Sequence, residues 1–268
     1  MTATALWTRR VLSGQLQDLG LVEGDTVMVH AGLRSVGRIL GGPDTMIRAI
    51  LDAVGPAGTL SVYTDWDDDY HGLLDRDGRI PADLRDDIAP FDPMFSRARR
   101  DHGAIAEFVR TFRGALRSGN PGASCAAVGA KAEWLTADHP LEYGYGAGSP
   151  FAKLAEAGGK ALMLGAPLDT MTLLHHAEHL ADIPGKHVAR YEAPMLVGDR
   201  VQWREWHEFD TSNPVVAGLP DDYFGMIVEQ FLAGGHGQEG RIGNARAVLV
   251  SAPDIVRYGV EWLEARFR

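Results

Sequence analysis

The sequence predicts an α/β fold, a central, mostly parallel sheet flanked by helices with a hairpin-containing second lobe. Short β-branched apolar runs alternate with amphipathic stretches, and the pattern changes to alternating residues after position 185. Residues 1–268 read as a single domain, with a lobe shift near 185 and an insertion over about 186–222.

The elements follow in order. From Thr4 to Leu19 the spacing of Leu6, Val11, Leu12, Leu16 and Leu19 predicts one helical face. Asp25–His30 is a buried strand, followed by a turn-rich segment, a helix over Thr45–Val54 and a second strand over Gly58–Tyr63. The alternation recurs as a helix over Ala104–Phe112, a strand over Ser124–Val128 and a helix over Ala130–Thr136. Ser149 is an N-cap with Pro150 at the first helical position, opening a helix to Ala157. Lys160–Leu164 is an apolar strand stopped by Gly165, and Thr170–Ala181 a helix. Alternation around Val197-Gly-Asp-Arg200, within His187–Trp206, signals a hairpin. Helices over Asp221–Leu232 and Ala252–Phe267 flank a strand over Ala245–Ser251.

Composition removes several functions. Hydrophobic residues are 45% and charged residues 23%, but no apolar run is long enough for a membrane span. The first thirty residues lack an uninterrupted apolar stretch and a small-residue cleavage site, so the cytoplasm is expected. The lone cysteine, Cys125, permits neither an internal disulfide nor a cysteine cluster; in its apolar strand it reads as a buried, inert thiol. The formal net charge of −10 disfavours a nucleic-acid partner. From Asp65 to Asp92 ten Asp face three Arg, an acidic wall suited to a polycation. Oligomeric state is left open, a homodimer included.

Thr172, His175 and Glu178 lie three residues apart, about 60° off a perfect stack per step, on one shallow stripe of the helix. That helix follows a buried strand, where the ligand crevice of an open α/β sheet lies. A histidine beside a carboxylate is a base with a fixed tautomer. The same letters, His175-His-Ala-Glu-His179, allow a zinc-dependent hydrolase whose third ligand would be Glu205 or Glu208.

Ordered blocks then carry a resemblance: Met28-Val-His-Ala-Gly-Leu-Arg-Ser-Val-Gly37, Gly41-Gly-Pro-Asp-Thr45, Gly55-Pro-Ala-Gly-Thr-Leu60, Phe91-Asp-Pro93, Gly148-Ser-Pro150 and Leu164-Gly-Ala-Pro-Leu168. Thr172-Leu-Leu-His-His-Ala-Glu178, Ile183-Pro-Gly-Lys186 and Asp254–Glu264 extend it. The chain resembles the aminoglycoside 3-N-acetyltransferases of the antibiotic N-acetyltransferase family over nearly its whole length. The resemblance implies that family's own fold, distinct from the more widespread acetyltransferase fold with a pyrophosphate loop between strand and helix. It also implies transfer of acetyl from acetyl-CoA, without a metal, to the 3-amino group of the 2-deoxystreptamine ring, giving antibiotic resistance; another amine is the alternative acceptor.

Residue by residue, the resemblance makes His175 the general base, Glu178 the carboxylate that orients it, and Thr172 a hydroxyl near the thioester. It places Leu33, Arg34, Ser35, Val36 and Gly37 in the coenzyme A loop, and Arg117 and Ser118 in a second coenzyme A segment. There Asn120 replaces the family's usual histidine and can hydrogen-bond but not titrate. His30, closing its strand, reads as structural. Asp65, Trp66 and Asp67, with Glu208 and Asp210 after the hairpin, are the expected aminoglycoside contacts on the substrate side. Direct transfer in a ternary complex is expected, with no acetyl-cysteine.

Overall fold

The computed structural model describes residues 5–66 and 70–267. The chain opens with the short strand β1 (Leu6–Trp7), helix α1 (Arg9–Leu19), strand β2 (Thr26–Ala31) and the one-turn helix α2 (Leu33–Val36). It continues through β3 (Arg38–Ile39), α3 (Pro43–Val54), β4 (Thr59–Tyr63), α4 (Ala104–Arg110), β5 (Leu116–Arg117) and β6 (Cys125–Gly129). Helices α5 (Ala132–Thr136) and α6 (Pro150–Glu156) precede β7 (Lys160–Leu164) and α7 (Leu174–Leu180). The hairpin β8 (Val188–Val197) and β9 (Arg200–Phe209) leads to α8 (Tyr223–Ala233), β10 (Gln238–Ile242), β11 (Ala245–Ser251) and α9 (Ala252–Phe267).

Seven strands form one sheet in the order β10-β11-β7-β2-β4-β6-β5, and β8–β9 form a separate two-stranded sheet. The expectation of a mostly parallel sheet needs correction, because only β7–β2 and β2–β4 pair in parallel; the four outer pairings are antiparallel. Two unrecognised short elements cause the reversal. The two-residue β5 turns the chain back before β6, and Gly243-Asn244 makes β10–β11 a tight hairpin, with Gly243 at φ 59°. Two helix starts shift by four residues or more. The first helix begins at Arg9, because Leu6–Trp7 pairs with Arg38–Ile39. The stretch before α7 is a 3₁₀ turn over Leu168–Thr170, separated from α7 by Met171, whose ψ of 83° is not helical. Ser149 caps α6 as expected, accepting from the Ala152 N–H at 3.1 Å.

Strand periodicity divides the core between the two faces of the sheet. Val27, Val29, Leu162 and Leu164 pack with α1, α3 and α4, whereas Met28, Ala161 and Met163 pack with α7, α8 and α9. Helix α7 is seated on this second face by Leu174 and Ala177. Gly259 of α9 permits the close approach, since a Cβ there would lie 3.0 Å from the Ala177 Cβ. A third apolar cluster joins Trp66, Tyr70, Ile80 and Phe91 to Ala193 and Trp206 of the hairpin. There Glu192 is buried, accepts from the Ile80 N–H at 2.6 Å and pairs with Arg85, whose guanidinium covers the Trp203 ring at 4.5 Å. The acidic segment is thereby pinned to the hairpin. Among the described residues no helix is long and apolar enough to cross a membrane.

Candidate active site

The three parallel strands β7, β2 and β4 direct their carboxyl ends at one crevice, the place where an α/β sheet holds ligands. A cavity of about 530 Å³ opens there, lined by His30, Ala31 and Gly32 at the end of β2, Tyr63 and Asp65 at the end of β4, and Ala166 and Pro167 after β7. Gly32 is required by contact rather than by dihedral angle. A Cβ on it would sit 2.4 Å from the Gly165 carbonyl oxygen, so only glycine lets the two strand ends cross.

Thr172 and His175 line this cavity from the opposite wall. The His175 Nδ1 lies 2.6 Å from Glu178 Oε2, an (i, i+3) pair on α7. Glu178 is 1% exposed, and its other oxygen accepts from the Tyr223 hydroxyl. An ionised carboxylate can only accept, so Nδ1 is the nitrogen that carries a proton in this contact. The imidazole is held between the Tyr145 and Phe224 rings, each with its centroid 4.8 Å away. Thr172 is buried, and its hydroxyl makes only a 3.4 Å contact to the Thr170 carbonyl oxygen.

A second cavity of about 210 Å³ adjoins the first and shares Tyr63, Asp65 and Tyr145 with it. Trp66, Tyr191 and Trp206 provide aromatic walls, and Glu208 a second carboxylate. The Asp65 carboxylate pairs with His102 Nε2 and lies 3.9 Å from Arg99; burial nevertheless raises its pKa above the usual carboxylate range. Glu208 receives His179 Nε2 at 2.7 Å. A third opening of about 320 Å³ reaches His175 past Asp169, Asp221 and Tyr223.

The structure does not bring every sequence-predicted residue into this space. Asp67 lies outside the described residues. Asp210 uses its carboxylate on its own loop, accepting from Ser212 N–H and Asn213 Nδ2 at 2.9 Å, while the neighbouring Thr211 and Ser212 reach the cavities. Leu33, Arg34, Ser35, Val36 and Gly37 lie beside Gly32; Val36 is buried in the core, Arg34 is exposed, and the Ser35 hydroxyl donates to the Gly32 carbonyl at 2.7 Å.

Arg117 and Ser118, expected against coenzyme A, spend their hydrogen bonds on the protein. Arg117 donates to Thr64 O, Ser96 O and Ser124 Oγ, covers the Phe91 ring at 5.0 Å, and burial lowers its pKa to about 10. Ser118 is fully buried between Cys125 N–H and His139. Asn120 accepts from Gly122 and Ala123 N–H groups and donates to the Pro140 carbonyl, a structural role for an amide. Cys125 is buried, and burial pushes its thiol pKa far up, so it is no nucleophile.

Sequence reasoning missed Tyr63, Tyr145, His102, Tyr223 and Phe224. A tyrosine beyond a strand end or in a turn carries no spacing signal, and its partners are remote in sequence. His30 is also part of the cavity wall. Its Nε2 is buried without a hydrogen-bond partner, and burial with the nearby His102 lowers its pKa to about 4.

The zinc reading fails on geometry. It needs His175 and His179 to converge on one ion, yet their ring nitrogens point to separate carboxylates, Glu178 and Glu208. Among the described residues no group of three His, Cys, Asp or Glu side chains could hold a metal.

An imidazole with a buried carboxylate behind it, open to an acidic aromatic chamber, suits group transfer to a cationic amine. Comparison with known proteins agrees. The pattern of the aminoglycoside 3-N-acetyltransferase family matches residues 28–264, and the chain belongs to that family. It is 43% identical over 261 residues to aminoglycoside N(3)-acetyltransferase III of Pseudomonas aeruginosa, covering 97% of this chain and 94% of the relative. It is 44% identical over 264 residues to aminoglycoside N(3)-acetyltransferase VIII of Streptomyces fradiae, covering 97% and 92%. A solved structure of AAC-IIIb in binary complex with CoASH superposes with a TM-score of 0.97 at 59% identity, covering 98% of each chain. The reaction is acetyl-CoA-dependent acetylation of aminoglycosides.

Proposed function

We propose that His175 is the general base that deprotonates the 3-amino group of the 2-deoxystreptamine ring as that nitrogen attacks the thioester of acetyl-CoA. The observation that carries this reading is the 2.6 Å His175–Glu178 contact, with the ring lining two of the cavities. An aminoglycoside amine arrives as an ammonium and has no lone pair until it loses a proton to solvent. As the C–N bond forms, Nε2 takes the second proton, and Glu178 stabilises the imidazolium. The C–S bond then breaks, and the imidazolium returns its proton to the departing thiolate. Thr172 faces the same space and serves as a hydroxyl donor to sulfur or to the developing oxyanion.

The smaller cavity suits the acceptor. Its aromatic walls stack against sugar rings, while Asp65 and Glu208 offer charge-assisted hydrogen bonds to ammonium groups. Coenzyme A belongs on the Gly32 side, where the Leu33–Gly37 segment follows directly in the chain. One catalytic unit spanning residues 1–268, acting in the cytoplasm and without a nucleic-acid partner, completes the proposal.

Thiol release from acetyl-CoA across a panel of aminoglycosides tests it. Release is expected with acceptors that carry a 3-amine and not with one that lacks it. Equal release from both overturns the regiochemistry. Asp65→Asn is expected to raise KM for the aminoglycoside about tenfold while leaving KM for acetyl-CoA within about twofold, since one ammonium loses its charged partner. Steady-state kinetics with each substrate varied in turn would refute the assignment if the two constants moved together.

A further inference from the structure

We infer that His179 is a positioning residue for aminoglycoside binding, acting through Glu208. The inference rests on the reading of Glu208 as a partner for a drug ammonium. Along β9 the alternation buries Trp206 and Glu208 on the inner face of the hairpin and leaves Glu205 and His207 outside, so both inner side chains line the smaller cavity. His179 Nε2 lies 2.7 Å from Glu208 Oε1, and the Phe209 N–H donates to the same oxygen at 2.8 Å. An ionised carboxylate can only accept, so Nε2 is the nitrogen that carries a proton in this contact. Glu208 Oε2 takes no hydrogen bond among the described residues, and it is the oxygen left for an ammonium.

His179 itself lines none of the three cavities, so its effect on the drug passes through the carboxylate. Its ring lies 4.5 Å from the Phe209 ring and edge-on to Tyr143 at 5.7 Å, and a Cβ on Gly146 would come within 3.1 Å of its Nδ1. These contacts fix the ring plane and with it the direction of the Nε2–H bond. The bond also ties the hairpin to the helix of the base. His175 and His179 are four residues apart on α7, a rise of about 6 Å, so an ammonium on Glu208 is referenced to the helix that presents the His175 ring. Without His179 the carboxylate keeps only its bond from the Phe209 N–H, and it must lose rotamer freedom when the drug binds. This role accounts for a histidine of His175-His-Ala-Glu-His179 that the proton transfer does not use.

His179→Phe keeps a ring in the same slot and removes the donor. KM for the aminoglycoside is expected to rise about tenfold, the equivalent of one charge-assisted hydrogen bond, while kcat and KM for acetyl-CoA stay within about threefold. A residue that only filled space would lower Tm or the active fraction and leave the drug KM in place. His179→Gln carries its NH₂ to the position of Nε2 and is expected to bring the drug KM back to within about threefold of the parent; His179→Asn, one methylene shorter, is not. In a Glu208→Gln background the charge is already gone, and adding His179→Phe is expected to raise the drug KM by less than about twofold.

A drug KM unmoved by His179→Phe, or raised as far in the Glu208→Gln background as in the parent, overturns the inference. If His179→Phe does not fold, His179→Gln and His179→Asn carry the test, and equal drug KM values for the two overturn it as well. Glu208→Gln alone separates the two readings. If it raises the drug KM while His179→Phe does not, only the positioning role falls; if it leaves the drug KM unchanged, Glu208 is no drug contact and both fall.

Discussion

His175→Ala lowers kcat by about 10²–10⁴-fold, the range that a positioned base contributes, and leaves acetyl-CoA affinity within about twofold. The ring is held by Glu178, Tyr145 and Phe224; the two aromatics belong to the core beneath α7, and Glu178 keeps its bond from the Tyr223 hydroxyl. The variant should therefore fold, and calorimetric titration with acetyl-CoA would show the binding retained. At higher pH a larger fraction of the acceptor amine is already neutral, so part of the lost rate returns as pH rises. A variant with near-normal turnover at neutral pH would remove His175 from the chemistry.

Glu178→Gln is expected to be nearly as severe, about 10²–10⁴-fold in kcat, although it changes only one atom. If the Tyr223 hydroxyl goes on donating to the amide oxygen as it does to Glu178 Oε1, the amide NH₂ turns toward His175. Nδ1 must then accept, which moves the imidazole proton onto Nε2, the atom that should receive one. An aspartate-to-asparagine change behind the histidine of a serine protease triad acts through the same wrong tautomer. The melting temperature should change little, because the amide is isosteric and still accepts from Tyr223. Turnover above about a tenth of the parent value would contradict the tautomer assignment.

Much of the scaffold was legible because its signals are local. β7, β11 and α9 have the predicted bounds, since each combines a strong apolar pattern with a clear stop such as Gly165. Sheet direction was not legible, because it depended on β5, two residues too short to show a period. The pair His175–Glu178 was visible as a spacing on one helix. Tyr223, 45 positions beyond Glu178, was not, because only the packing of α8 against α7 and α9 brings it near. Arg117 illustrates the converse. A basic residue in a motif suggests an anion, yet its donors are taken by Thr64, Ser96 and Ser124. A motif gives identity, and burial decides which way the side chain points.

The apolar cluster that pins the acidic segment to the hairpin shares no member with the core beneath α7. Substitutions at Ile80, Phe91 or Ala193 are therefore expected to shift Trp66 and Trp206 in the wall of the smaller cavity, proposed to seat the drug, and their free energies to add to those of changes near His175. Drug range and catalytic power are thus separable traits in this enzyme. Selection by a new antibiotic can act on the first while the second stays intact.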